Sequence, residues 1–272
     1  GPRADTPADV DAILPGIADI ELFQGDDRVD RILYGEGVYN PLHDPIYVVD
    51  PAPTADELLQ WRRIATEIAR AGLPLQVHAH HRDTIDAFLD QIEAIHAQYP
   101  IRNLRWAFAH GNQLDAAQLE RMKALGLYLA LNPWVVINGA VHHEIFGSAA
   151  YDFAALRTIE DSGITWGFGS DGSRANQILP FRTLHWAVTG RMVGGRQVTR
   201  QTISREEALI AHTRKNAYLI FREDVLGSIE VGKLADLVVL DRDYLTIPAE
   251  EIKDIRPVMT VVDGRVVFEA TP

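Results

Sequence analysis

Three residues that could bind a metal ion stand at the ends of predicted strands. His78 ends "LPLQVH", His110 ends "LRWAFAH" and Asp171 ends "ITWGFGSD". Parallel strands of an α/β fold present their carboxyl ends at one rim, so we expect these side chains to meet there. Two imidazoles and a carboxylate suit a zinc-type ion that leaves one position open for water. The pattern therefore predicts a metal site that activates water.

Each of these residues also has a purely structural interpretation. Asp171 lies in Ser-Asp-Gly, and both Asp and Gly tolerate the backbone angles of an ordinary turn. A single histidine in a strand is more often a packed structural residue than a ligand. Their joint occurrence at three strand ends favours the metal site.

Two further residues are candidates for metal or substrate contact. His80 would share the face of His78 if the strand continued. Glu36 in "YGEGVY" could supply a carboxylate, although a turn residue between two glycines is an equal alternative.

The other histidines are predicted to lie outside the site. We expect His81 to face solvent, and His142 and His143 to be a solvated pair in a loop. His43 carries no signal of its own.

Composition excludes several classes of protein. The 272 residues contain no cysteine, so a metal must be held by His, Asp or Glu. The net charge of -12 argues against nucleic-acid binding. No apolar run approaches the roughly 18 residues of a membrane span, and the first residues lack a signal-peptide pattern. The expected location is cytoplasmic.

Short apolar strands alternate with amphipathic helices, which is typical of a parallel α/β sheet or barrel. Parallel strands are predicted near 75–79, 104–109, 127–131 and 164–169, with a possible short strand at 31–34. Capping boxes at Thr54–Glu57 and Ser204–Glu207 predict two helix starts. We also expect a long loop from 133 to about 151 and helices at about 179–192 and 204–220.

The pattern becomes β-rich after Phe221. Asp263-Gly264 between two apolar runs predicts a hairpin. We therefore divide the chain into an α/β part, 1–225, and a β-segment, 226–272.

Several motifs resemble the amidohydrolase superfamily, and within it amidohydrolase family 3, the YtcJ-like branch. "LQVHAHHRDTIDAFLDQIE" is similar to that family's strand five, "FAHGNQLDAAQLERMKALGLYLALNP" to strand six, and "GFGSDG" to strand eight. The tail "LGSIEVGKLADLVVLDRD" closely resembles the superfamily's C-terminal sandwich signature. The resemblance extends from about residue 28 to 270.

The resemblance implies a (β/α)8 barrel of the TIM type, of which this chain carries about strands four to eight, with a β-sandwich segment. It implies that His78, His110 and Asp171 bind a divalent metal, most simply zinc, as one or two ions. It also implies that Asp171 takes the proton from the attacking water. The expected reaction is hydrolysis of a C–N bond other than a peptide bond, in a small amide-type substrate.

Two departures from the family qualify this expectation. No histidine precedes His43, so the family's strand-one His-x-His pair has no counterpart, and we expect the chain to begin near strand three or four. The carboxylated lysine that some relatives carry on strand four is also missing, because every lysine follows strand five. A complementary N-terminal segment or self-association is therefore expected. The alternatives are a non-catalytic module acting in binding or assembly, and an isomerase or lyase that uses the same metal.

Overall fold

The structure is a computed structural model, which describes residues 3–26, 28–49, 52–172 and 177–271. Its helices are α1 (Pro7–Ile13), α2 (Ala55–Arg70), α3 (Arg82–His96), α4 (Ala116–Leu125), α5 (Val135–Phe146), α6 (Leu156–Ser162), α7 (Pro180–Thr189), α8 (Arg205–His212) and α9 (Arg214–Leu219). Its strands are β1 (Gln76–Ala79), β2 (Ala107–His110), β3 (Tyr128–Leu131), β4 (Trp166–Phe168), β5 (Leu237–Leu240), β6 (Pro257–Val262) and β7 (Arg265–Glu269). Short 3-10 turns lie at Leu14–Gly16, Asn40–Leu42, Gly147–Asp152 and Ala249–Asp254.

The chain divides into two compact units. The first comprises Gly1–Leu131 and Asp161–Thr165, and the second comprises Asn132–Glu160 and Trp166–Pro272. The boundary predicted at 225/226 separates the two domains of the family fold, which need not coincide with compact units. It stays a prediction.

The first unit contains a parallel sheet in the order β1-β2-β3. The strands are shorter than predicted but lie where the apolar runs indicated. The expected strand at 31–34 is reduced to one parallel bridge between Tyr34 and Leu75, just before β1. That bridge brings the segment after Tyr34 alongside β1.

Helices α2, α3 and α4 bury their apolar faces in this unit. The predicted capping box is present, because Thr54 accepts the backbone N–H of Glu57 while the Glu57 carboxylate accepts that of Thr54. Trp61 of α2 packs on Phe88 of α3 with ring centroids 4.7 Å apart. Both rings are almost fully buried, so this contact contributes to the core that supports β1 and β2.

The predicted loop from 133 to about 151 is wrong. That stretch forms α5 and the following 3-10 turn. Local signals are weak there: Trp134 provides no side-chain cap, and Val-Val-Ile and Asn-Gly are poor helix formers. Tertiary packing outweighs them. Gly139 of α5 packs so closely on Val198 that an added Cβ would come within 2.5 Å of that side chain.

The predicted helix at 204–220 is two helices. Its capping box at Ser204–Glu207 forms as expected. Thr213 then adopts φ -123° and ψ -80°, outside the helical region, and separates α8 from α9. Asn216 on α9 donates to the backbone oxygen of Phe168, which fixes α9 against the end of β4.

The C-terminal β-structure is an antiparallel sheet in the order β5-β6-β7. The predicted hairpin is confirmed: Asp263 and Gly264 both have positive φ, as a tight two-residue turn requires. Among the described residues, no helix is long and apolar enough to cross a membrane.

Gly111, directly after β2, holds a position that a side chain would disturb. Its φ is +59°, and an added Cβ would come within 2.7 Å of the side chains of Leu114 and Leu129. The backbone here must turn sharply because His110 also has a positive φ, +70°. Gly111 thus sets the direction in which β2 ends.

We expect Gly111→Ala to lower the free energy of unfolding by about 1–3 kcal/mol, since it adds strain and overpacks a buried contact. Urea denaturation measures the change. Gly16→Ala is the control, because Gly16 has no atom within 4 Å of an added Cβ. Equal stability of the two variants would contradict this account of Gly111.

Candidate metal centre

Three buried imidazoles meet at the carboxyl end of β1 and β2. His78 lies on β1, His80 directly follows that strand, and His110 ends β2. In the parallel register Ala79 pairs with His110. One ring nitrogen from each of the three histidines lies within 4.8 Å of the others. The two predicted histidine ligands are therefore brought together, and His80 joins them.

Glu36 lies against two of these rings. Its Oε2 atom is 3.2 Å from Nε2 of His110 and 3.6 Å from Nδ1 of His78. The parallel bridge at Tyr34 delivers the Gly-Glu-Gly turn to this place. Glu36 thus contacts both imidazoles, and its candidate role in metal or substrate contact stays a prediction.

A second carboxylate, Asp44, packs on the opposite nitrogen of His78. Its Oδ1 atom is 3.1 Å from Nε2 of His78, and its side chain is only 2% exposed. The carboxylate also accepts the backbone N–H groups of His80, at 2.9 and 3.0 Å, and of His81, at 2.9 Å. His78 thus lies between two carboxylates.

Charge and burial oppose each other throughout this cluster. Burial alone would raise the pKa of Glu36, but the facing His110 and His78 rings outweigh it and hold that pKa well below its usual range. Burial lowers the pKa of His78, yet Asp44 and Glu36 together raise it to about 9. Burial and the neighbouring imidazoles lower the pKa of His80. His80 is therefore a neutral ring, the form in which imidazole binds metal.

The donor set fits a divalent metal ion that imidazole nitrogens bind. Nδ1 of His78 and Nδ1 of His110 are buried and make no hydrogen bond within the described part of the chain. Such nitrogens are costly to bury unless something satisfies them. Nδ1 of His80 lies 2.6 Å from Nδ2 of Asn112, a contact that orients this ring.

Sequence reasoning missed His43 and Asp44. His43 is exposed and stacks on His78, with ring centroids 3.5 Å apart. Both residues lie more than 30 positions before His78, in a loop whose course depends on tertiary packing. The dipeptide itself gives no periodic or spacing signal, so only a contact prediction could have found them.

The predicted solvent exposure of His81 is wrong. The side chain is buried, and both ring nitrogens have partners there. Its Nε2 lies 2.9 Å from the Pro45 backbone oxygen and its Nδ1 lies 3.1 Å from Nε2 of Gln113. It begins α3 as the N-cap residue.

The solvated loop pair His142–His143 is also wrong, because both residues lie on α5. His142 is 1% exposed and packs on the ring of Phe153. His143 is half-buried, with its ring 4.0 Å from that of Tyr151. Their burial follows from the unpredicted helix.

Asp171 belongs to the second unit, three residues beyond the end of β4. Its Oδ2 atom accepts a 2.9 Å hydrogen bond from the indole N–H of Trp134. Its φ is +54°, a left-handed conformation that Asp tolerates better than most residues. Its predicted roles as metal ligand and catalytic base stay predictions.

Comparison with known proteins decides the family. A model of the amidohydrolase family matches residues 40–268. The chain belongs to the amidohydrolase family. This amidohydrolase is 27% identical over 216 residues to an N-substituted formamide deformylase from Arthrobacter pascens, covering 76% of this chain and 39% of the relative. It is 26% identical over 222 residues to the protein LONG AFTER FAR-RED 3 from Arabidopsis thaliana, covering 77% of this chain and 35% of the relative.

Solved structures show the same fold. An uncharacterized metal-dependent hydrolase from Pyrococcus horikoshii superimposes with a TM-score of 0.66 at 23% identity, over 90% of this chain and 51% of that one. The likeness confirms the predicted α/β fold of the TIM-barrel type. The amidohydrolase spans well under two thirds of each of these relatives, and the YtcJ-like branch stays a prediction.

We expect the chain to bind zinc, and His78→Ala or His110→Ala to remove most of it, because each deletes a nitrogen of the three-imidazole cluster. Metal content of samples dialysed against trace zinc is measured by inductively coupled plasma mass spectrometry. His143→Gln, in the second unit, is the control and should retain the metal. Equal zinc content in all four proteins would contradict the site.

Proposed function

We propose that this amidohydrolase is a metal-dependent hydrolase that cleaves a C–N bond, amide or related but not a peptide bond. The observation that carries the proposal is the group of three buried imidazoles with ligand atoms within 4.8 Å of one another. Membership of the amidohydrolase family supports the reaction class. The formamide deformylase relative, by its name, acts on an N-substituted formamide.

The proposed ligands are His78 and His110, with Glu36 and His80 as further donors and Asp171 as the ligand implied by the resemblance. Imidazole and carboxylate donors without thiolate favour zinc, as one or two ions. When bound, the metal lowers the pKa of water and polarises the substrate carbonyl. The chain's own groups must then orient the substrate and move protons.

Asp171 is proposed as the group that accepts the proton released when water attacks. A carboxylate serves as a base when it is ionised and fixed in direction, and the indole N–H of Trp134 fixes one of its oxygens at 2.9 Å. The same carboxylate would return the proton to the departing nitrogen. The position directly beyond β4 agrees with the strand-end location of catalytic groups in this fold.

The proposed domain arrangement follows the family fold. Residues 1–225 would supply barrel strands from about four to eight, and 226–272 would supply a β-sandwich segment. The parallel order of the Tyr34 bridge, β1, β2 and β3 supports the first part. The antiparallel β5-β6-β7 sheet supports the second.

We also propose that the chain associates, either with a complementary segment of the same fold or with a second copy. Val238 and Val239 are adjacent on β5, pair in regular register with β6 and so point to opposite faces of the sheet, yet they are 53% and 48% exposed. Apolar exposure on both faces of a sheet is typical of a surface that another element covers.

We expect Asp171→Asn to lower turnover about a hundredfold to ten-thousandfold, because it keeps the size of the side chain but removes its basicity. Release of amine from a panel of N-formyl and N-acyl amines is measured together with zinc content. Asp224→Asn, an exposed aspartate of the same unit, is the control.

Near-normal turnover of Asp171→Asn would leave this aspartate as a turn residue. Zinc binding without hydrolysis of any substrate in the panel would favour the binding-module alternative. A product that retains the C–N bond, or one formed without uptake of water, would favour an isomerase or lyase.

In solution we expect the isolated chain to scatter light as a species of at least twice its 30.3 kDa mass, because the exposed sheet faces remain available for self-association. Size-exclusion chromatography with multi-angle light scattering measures the mass. A matched variant, Val238→Thr with Val239→Thr, should shift the population toward the monomer. A stable, cooperatively unfolding monomer of the unaltered chain would contradict the proposed association.

A further inference from the structure

The two acceptors of Asp44 fix which nitrogen of His78 is available to a metal. Nε2 of His78 lies 3.1 Å from the carboxylate Oδ1 and 3.2 Å from the main-chain oxygen of the same residue. Two acceptors at one ring nitrogen require that nitrogen to carry the proton. Nδ1 is then the nitrogen with the lone pair when the ring is neutral. It is buried, makes no hydrogen bond within the described residues and faces Glu36 at 3.6 Å.

The same carboxylate also fixes the backbone that carries the second imidazole. It accepts the N–H groups of His80 and His81, at the point where β1 gives way to α3. A change in the position of Asp44 would therefore move both the ring of His78 and the chain on which His80 is mounted. These contacts join residues 34 to 37 positions apart in the sequence.

We propose that Asp44 is a positioning residue of the metal centre: it holds the proton of His78 on Nε2, so that the Nδ1 lone pair would be available to a metal, and it fixes the turn that presents His80. This inference rests on the proposed metal site, but it concerns a residue outside the set of ligands. Carboxylates that accept the second N–H of a ligating histidine raise its affinity for metal by fixing its tautomer and orientation.

An asparagine at this position cannot make the same contacts. Its single carbonyl oxygen can face either the His78 ring or the two backbone N–H groups, and its NH2 group must face the other set. With NH2 toward His78, the ring is driven to carry its proton on Nδ1, which removes the lone pair from the metal. With NH2 toward the backbone, its N–H groups face the N–H groups of His80 and His81, and the turn must shift to separate them.

We expect Asp44→Asn to weaken zinc binding about tenfold to a hundredfold, the usual effect of losing such a partner. Competition with a chromogenic chelator measures the dissociation constant, and the visible spectrum of the cobalt-substituted protein reports the coordination. Asp115→Asn is the matched control, since Asp115 accepts a backbone N–H at the start of α4 but touches no imidazole of the cluster. It should leave the affinity and the cobalt spectrum unchanged, since asparagine caps a helix about as well as aspartate.

The tautomer of His78 provides a readout that needs no metal. Nitrogen-15 spectra of the metal-free chain, recorded at alkaline pH where the ring is neutral, should show the proton on Nε2 in the unaltered chain and a shift toward Nδ1 in Asp44→Asn. If the unaltered chain binds no zinc, the proposed function fails, and these spectra alone decide the role of Asp44. A proton on Nδ1 in the unaltered chain, or zinc affinity of Asp44→Asn within twofold of the unaltered chain, would overturn the proposal.

Discussion

Burial of several imidazoles in one place is the constraint on which the centre depends. His78, His80 and His110 are each less than 5% exposed, and no more than one of them can be charged at low cost unless carboxylates lie beside them. Glu36 and Asp44 provide those carboxylates on either side of His78. The loop and turn that carry them must therefore lie against the end of β1. This requirement determines the course of the chain over residues 34–46.

The backbone is strained at two places where a strand ends. His110 and Asp171 both adopt positive φ, which disfavours most side chains and is tolerated best by Asn, Asp and His. Such conformations concentrate where a fold over-determines the backbone for a functional reason. At His110 the following glycine accommodates the turn, since its neighbours Leu114 and Leu129 leave no room for a Cβ.

Sequence alone was sufficient for the elements with strong local signals. Capping boxes at Thr54 and Ser204 and the Asp263-Gly264 hairpin appear where predicted, because each depends on contacts within a few residues. The α5 helix was missed because packing outweighs its poor propensity. In the site, His78 and His110 could be predicted from strand ends, whereas Asp44 could not, since its contacts are 34 or more positions distant.

The origin of the three imidazoles bears on what this chain can do by itself. All three come from β1, the residues just after it, and β2, which are neighbours in one compact unit. Their mutual placement therefore depends on two adjacent strands and the loop that carries Asp44. Retention of metal by the three imidazoles therefore tests this unit by itself, whereas turnover tests the proposed role of Asp171, so the two should be separable properties of the chain.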